Sequence, residues 1–172
     1  MRVIKLGNID INNIRKKGFE EGSIEERIEE YCRTTASQHT DGLLEIYTQL
    51  DESRNGNYIN SDLMKMVYPF YAESFENRTK YNLSITNSAA VLTNEAFRRA
   101  IQRPDVQRCV FIVGPYGAGK SYFSQSLFER EEHGMLANSI VYEGSITPPA
   151  FGEKVQYAID NGVTPSIIAL NP

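Results

Sequence analysis

The sequence predicts an α/β fold in which a mainly parallel sheet is layered between helices and preceded by a helical N-terminal region. Three observations predict it. From Arg108 onward the chain alternates strand, helix, strand, helix, strand, an order that implies parallel pairing through right-handed crossovers. The first of those strands, Arg108 to Val113, is mostly apolar, as expected of a strand covered on both faces. Upstream of it, apolar residues recur mainly at helical spacing.

The 172 residues suit one compact core, with residues 1–56 as a mainly helical N-terminal region and 57–172 as the α/β core. An apolar share of 41% with 23% charged residues excludes disordered and low-complexity classes. The net charge of -4 offers no broad surface for nucleic acid or an anionic membrane, so neither is expected as a partner. Cys32 and Cys109 lack CxxC spacing and a histidine cluster, which excludes a zinc site and a disulfide scaffold. The opening MRVIKLGNIDI carries charge too early for a secretory segment, and no apolar run approaches a membrane span. A reducing, cytoplasmic setting is expected.

In order along the chain, Val3, Ile4, Leu6, Ile9 and Ile11 suggest a weak extended opening. Ser23 and Glu26 have capping-box spacing, which starts a helix that ends near Ala36. Asp41 is a candidate cap for a second helix bearing Leu43, Leu44, Ile46, Tyr47 and Leu50, and Arg54 to Asn57 mark a turn. Tyr58 to Asn60 read as a strand, followed by a helix capped by Ser61 or Asp62 that Pro69 interrupts. Core packing around Pro69 is expected of Tyr68, Phe70, Tyr71 and Phe75. Residues 71–86 show no clear periodicity, whereas 87–103 form an amphipathic helix through Ala89, Leu92, Ala96, Phe97 and Ala100. Beyond the strand 108–113 come a helix from Tyr122 to Glu132, a strand from Ser139 to Tyr142, a helix from Pro149 to Asn161 and a strand from Ser166 to Leu170. His39 and His133 have no ligand-type neighbours and read as surface residues.

Residues 114–121 read GPYGAGKS, which satisfies GxxxxGK[ST] at a junction between strand and helix. Such a loop turns its backbone amides toward phosphate oxygens, and the next helix adds unpaired N–H groups and a partial positive charge. Gly114, Pro115, Tyr116, Gly117, Ala118, Gly119, Lys120, Ser121 and Tyr122 are therefore the candidate nucleotide-binding residues. Lys120 is expected on the outer phosphates of ATP or GTP, and the Ser121 hydroxyl on Mg²⁺. The fold class narrows to a P-loop NTPase-like three-layer α/β fold. Glu143 and Ser145 fall at the carboxyl edge of the next strand, where an open parallel sheet lines its ligand crevice. They could position an acceptor hydroxyl, or Glu143 could serve as a metal partner or an ordinary loop acid.

GPYGAGKS, the strand IVYEGS and the stretch PPAFGEKVQYAIDNGVTPSIIALNP resemble the zeta toxin family of P-loop kinases, over about residues 106 to 172. More distantly they resemble chloramphenicol phosphotransferases. The resemblance implies transfer of a γ-phosphoryl group to UDP-N-acetylglucosamine or another small molecule, substrate contacts by Glu143 and Ser145, and an antitoxin protein as partner. YINSDLMK at 58–65 looks like the family segment that carries the general base, which would make Asp62 catalytic beside Lys120. As a helix cap Asp62 needs no such role. In the family that segment follows the phosphate loop; here it precedes it, so the elements would be permuted in the chain and reunited in space. Family members also continue past SIIALNP into helices with phosphate-clamping arginines, whereas Arg98, Arg99, Arg103, Arg108 and Arg130 here read as solvated-face residues. The alternative is a nucleotide-binding module, or a shortened relative without kinase turnover.

Overall fold

The computed structural model describes residues 7–130 and 136–171. Val3, Ile4, Leu6, His133 and the expected helix end at Glu132 lie outside them. The helical opening comprises α1 (Ile24–Gln38) and α2 (Thr40–Gln49). A short strand β1 (Tyr58–Asn60), then α3 (Ser61–Met64), α4 (Pro69–Ala72) and the long α5 (Phe75–Ile101), lead to β2 (Arg108–Val113). The order continues with α6 (Lys120–Glu129), β3 (Ser139–Gly144), α7 (Ala150–Asp160) and β4 (Thr164–Ala169).

Local chemistry accounts for most boundaries. The Ser23 hydroxyl accepts from the Glu26 amide at 3.2 Å, while the Glu26 carboxylate reaches back to the Gly22 amide at 3.1 Å. Asp41 lies inside the first turn of α2, whose cap is His39, the Leu43 amide donating to the His39 carbonyl at 3.0 Å; the Thr40 hydroxyl ties that start to α1 by donating to the Ala36 carbonyl. Asn60 caps α3, in place of Ser61 or Asp62: its backbone is extended, as a cap requires, and its side chain accepts from the Leu63 amide at 2.9 Å. Pro69 starts α4 at a first-turn position where its missing N–H costs nothing. Residues 75–86 belong to α5, capped by Ser74 through the Asn77 amide at 3.0 Å. Ile11–Asn13 form a 3-10 turn where an extended opening is expected.

The sheet is four-stranded, all parallel, in the order β1-β3-β2-β4. Alternation along β2 sends Cys109, Phe111 and Val113 to one face, against α5 and α7, and Val110 and Ile112 to the other, against Phe123, Leu127 and Phe128 of α6. From β2 the chain passes through α6 to β3 on one side; from β3 it passes through α7 back across β2 to β4. Crossovers of one hand that run in opposite directions must place their helices on opposite faces, which is the layering found. The connections thus diverge at the carboxyl ends of β2 and β3, where an open α/β sheet forms a crevice.

A separate cluster unites the helical region: Ile14, Cys32, Ala36, Leu44 and Tyr47 pack with Met64, Val67, Tyr68, Ile85, Ala89 and Leu92. It draws on residues from both sides of position 56. Tyr68 and Tyr71 are buried, as packing around Pro69 predicts, whereas Phe75 is 77% exposed. Both described cysteines are buried and unpaired, and burial, with the nearby Glu29, pushes the Cys32 thiol up to about 12. His39 is exposed. Among the described residues no helix is long and apolar enough to cross a membrane.

Candidate functional site

Residues 114–119 leave the carboxyl end of β2 and fold over the start of α6. Gly119 caps that helix with a left-handed φ of 82°, and Gly117 adopts φ 80°, conformations that cost a Cβ-bearing residue free energy. Gly114 is required for a different reason: a Cβ there would stand 2.5 Å from the Leu170 carbonyl oxygen, which follows β4. The loop closes on itself through the Ala118 amide, which donates to the Pro115 carbonyl at 3.2 Å. Lys120 folds back, its Nζ donating to the carbonyls of Gly114 at 2.9 Å and Pro115 at 2.8 Å. Tyr116, within the loop, and Tyr122, in the first turn of α6, are 100% and 78% exposed.

Glu143 lies under the first turn of α6. It pairs in register with Ile112 on one side and Asn60 on the other, and is only 4% exposed. Its Oε1 accepts from Ser121 at 2.8 Å; its Oε2 accepts from Ser124 at 3.0 Å and from the Tyr58 phenol. No cation pairs with it among the described residues. Burial and the Glu143 carboxylate raise the Tyr58 phenol far above its ordinary value, so it stays a donor. Tyr58 is fixed in turn: the Tyr47 hydroxyl donates to its carbonyl at 2.6 Å and accepts from the Asn60 amide at 3.2 Å.

Lys120, Ser121, Glu143 and the 114–119 loop therefore converge at the crevice between β2 and β3. Ser145 lies just beyond β3, exposed, sharing a 2.8 Å hydrogen bond with Thr147. Asp62 also follows the carboxyl end of a strand of this sheet, two strands from β2, or about 10 Å in the hydrogen-bonding direction. Its side chain is 78% exposed and bonds to the buried Lys65 at 3.2 Å; Lys65 is held from behind by Asn82 at 2.7 Å.

Tyr58 and Ser124 are the site residues that the sequence did not single out. Ser124 stands one helical turn after Ser121, so a shared partner was readable from spacing. Tyr58 had no local signal, since its partner is 85 residues away. The arginines give the loop no clamp. Arg98 and Arg99 are taken by Glu95, Arg99 also by Asp41, and Arg103 by Asp105. Arg108 opens β2 and Arg130 follows the end of α6, at the sheet edge opposite the loop. Compared with known proteins, the chain matches no protein-family model and no curated protein.

Proposed function

We propose that the 114–121 loop binds the phosphates of ATP or GTP with Mg²⁺, and that the chain transfers the γ-phosphoryl group to a hydroxyl of a nucleotide sugar or similar small acceptor. The observation that carries this is the Glu143 cluster: a buried carboxylate with no cation beside it among the described residues, bonded to the hydroxyl that follows the loop lysine. A carboxylate and a hydroxyl are hard oxygen donors of the kind Mg²⁺ takes, so Ser121, with Glu143 bonded to it, would hold the ion. The ion would supply charge neutralisation between the phosphates. Lys120 has donors already aimed across the loop mouth and needs only to exchange two carbonyls for phosphate oxygens.

The resemblance to zeta toxins assigns Glu143 and Ser145 to the acceptor. Because both Glu143 oxygens are engaged beneath α6, the geometry favours the metal-partner alternative for Glu143 and leaves Ser145 and Thr147 facing the acceptor side. Asp62 would take the acceptor proton. Membership of β1 in the sheet supports that role, since it brings the segment 58–65 to the same carboxyl edge despite its early position. In this reading an antitoxin protein remains the implied partner.

A second reading, a nucleotide-binding module without turnover, is favoured by the exposure of Asp62 and the absence of an arginine beside the loop among the described residues. Calorimetry with a nonhydrolysable ATP analogue, with and without Mg²⁺, tests both, together with ATP consumption in the presence of UDP-N-acetylglucosamine. The native chain should bind the analogue. Lys120→Ala should weaken binding about 10- to 100-fold, as loss of a charge-assisted contact does. Glu143→Gln should lose the gain that Mg²⁺ confers. Acceptor-dependent turnover that disappears in Asp62→Asn identifies the kinase, while binding without turnover identifies the module. A folded native chain that binds no analogue refutes both.

A further inference from the structure

The layer formed by α5 and α7 contains a cavity of about 220 Å³, lined chiefly by Asn94, Phe97 and Arg98 from α5 and Glu153, Lys154 and Tyr157 from α7. Phe97 packs on Tyr142 of β3 with ring centroids 5.3 Å apart, which sets the cavity at the level of the residue before Glu143. Asn94 lies nearer the carboxyl edge, because α5 descends from there to the start of β2.

Arg98 is ion-paired to Glu95, whereas among the described residues Lys154 has no ion pair; Glu153, which also lines the cavity, balances its charge without bonding to it. Arg98 is gripped by both Glu95 oxygens, at 3.0 and 2.6 Å, so that pair is neutral. Lys154 is half-buried, with its ammonium 5.5 Å from the centroid of the Tyr142 ring. No carboxylate, carbonyl or amide oxygen of the described residues accepts a hydrogen bond from it. Burial pulls its amine below the ordinary lysine value, and Glu153, one residue away, only partly offsets this. The ring face attracts the cation but supplies no acceptor for its three N–H groups. The exposed Asn94 amide likewise has no protein partner among the described residues. A partly desolvated cation and an uncommitted amide at one cavity are what an oxyanion requires.

We propose that this cavity binds an oxyanion, phosphate or carboxylate, carried by the acceptor of the phosphoryl transfer, with Lys154 as its cation and the Asn94 amide as a second donor. Only the link to an acceptor rests on the kinase reading. The cavity is large enough for a phosphate or short carboxylate, and α7, which lines it, starts from the carboxyl edge where Ser145 follows β3.

Titration of the ¹⁵N-labelled chain with inorganic pyrophosphate tests this, followed separately at the backbone amides of Asn94, Lys154 and Tyr157 and at those of residues 114–121. Both groups of resonances should shift. In Lys154→Gln the α5 and α7 shifts should vanish or require at least about tenfold more anion, while the loop shifts persist. Lys154→Arg should restore them, and an otherwise unchanged spectrum of each variant verifies the fold. Malonate in place of pyrophosphate distinguishes a carboxylate source from a phosphate source. Loop shifts alone in the native chain, or an unaltered titration in Lys154→Gln, overturn the proposal and leave nucleotide binding standing. Shifts at α5 and α7 alone support it and count against the loop.

Discussion

Three hydroxyls from two elements, Ser121 and Ser124 of α6 and Tyr58 of β1, meet the carboxylate of Glu143, and each restrains a different coordinate. Ser124 and Tyr58 hold Oε2, which leaves Oε1 directed at Ser121. Because Tyr58 is buried, its removal as a donor leaves a carboxylate oxygen short of a partner with no water to replace it. Tyr58→Phe should therefore destabilise the fold by about 1–3 kcal/mol in denaturant titration. Under the proposed function it should also weaken Mg²⁺-dependent nucleotide affinity more than metal-free affinity. An unchanged denaturation midpoint would show that Ser124 alone secures Oε2. The loop residues and their spacing were legible locally, since GPYGAGKS spans eight consecutive positions. The Tyr58 contact was not, because parallel pairing of β1 with β3 creates it.

The helix α5 shows how one element serves two environments. The part up to Leu92 packs Ile85, Ala89 and Leu92 into the helical cluster, and the part after it packs Phe97, Ala100 and Ile101 onto the sheet. Only the stretch from 87 onward, Ala89 and Leu92 included, was readable, because polar residues crowd positions 76–82 and conceal the period; tertiary packing and the Ser74 cap overcome that weak amphipathicity. Past Leu92, Glu95 joins Arg98 and Arg99. Burial alone would raise its carboxyl, but hydrogen bonds from both guanidiniums outweigh that and hold it below its ordinary value. A depressed folded value means the contribution to stability is complete above the ordinary carboxylate range, and is lost as pH falls through the lowered folded value. Glu95→Gln should accordingly flatten the acid limb of the stability profile while leaving its dependence above about pH 6 unchanged. An acid limb identical to the native one would show that the ion pairs contribute nothing.

At the scale of the molecule, α5 and the Tyr47 hydroxyl bind the helical region to the sheet, so the two clusters should unfold together. Hydrogen exchange under mild denaturant should give the amides of Ile85 and Ile140 the same opening free energy; two distinct values would mean that the helical region opens by itself. The same architecture explains the site. Sequence by itself determined the alternation of strands and helices after Arg108, the burial of β2 and the glycine-rich loop, because each depends on residues within one or two turns of each other. Strand order, the entry of β1 beside β3, the burial of Glu143 against Ser121, Ser124 and Tyr58, and the unmatched Lys154 were decided only by tertiary structure. Their cause is the crossover geometry of the sheet, which brings distant residues to one carboxyl edge and leaves no trace in local spacing.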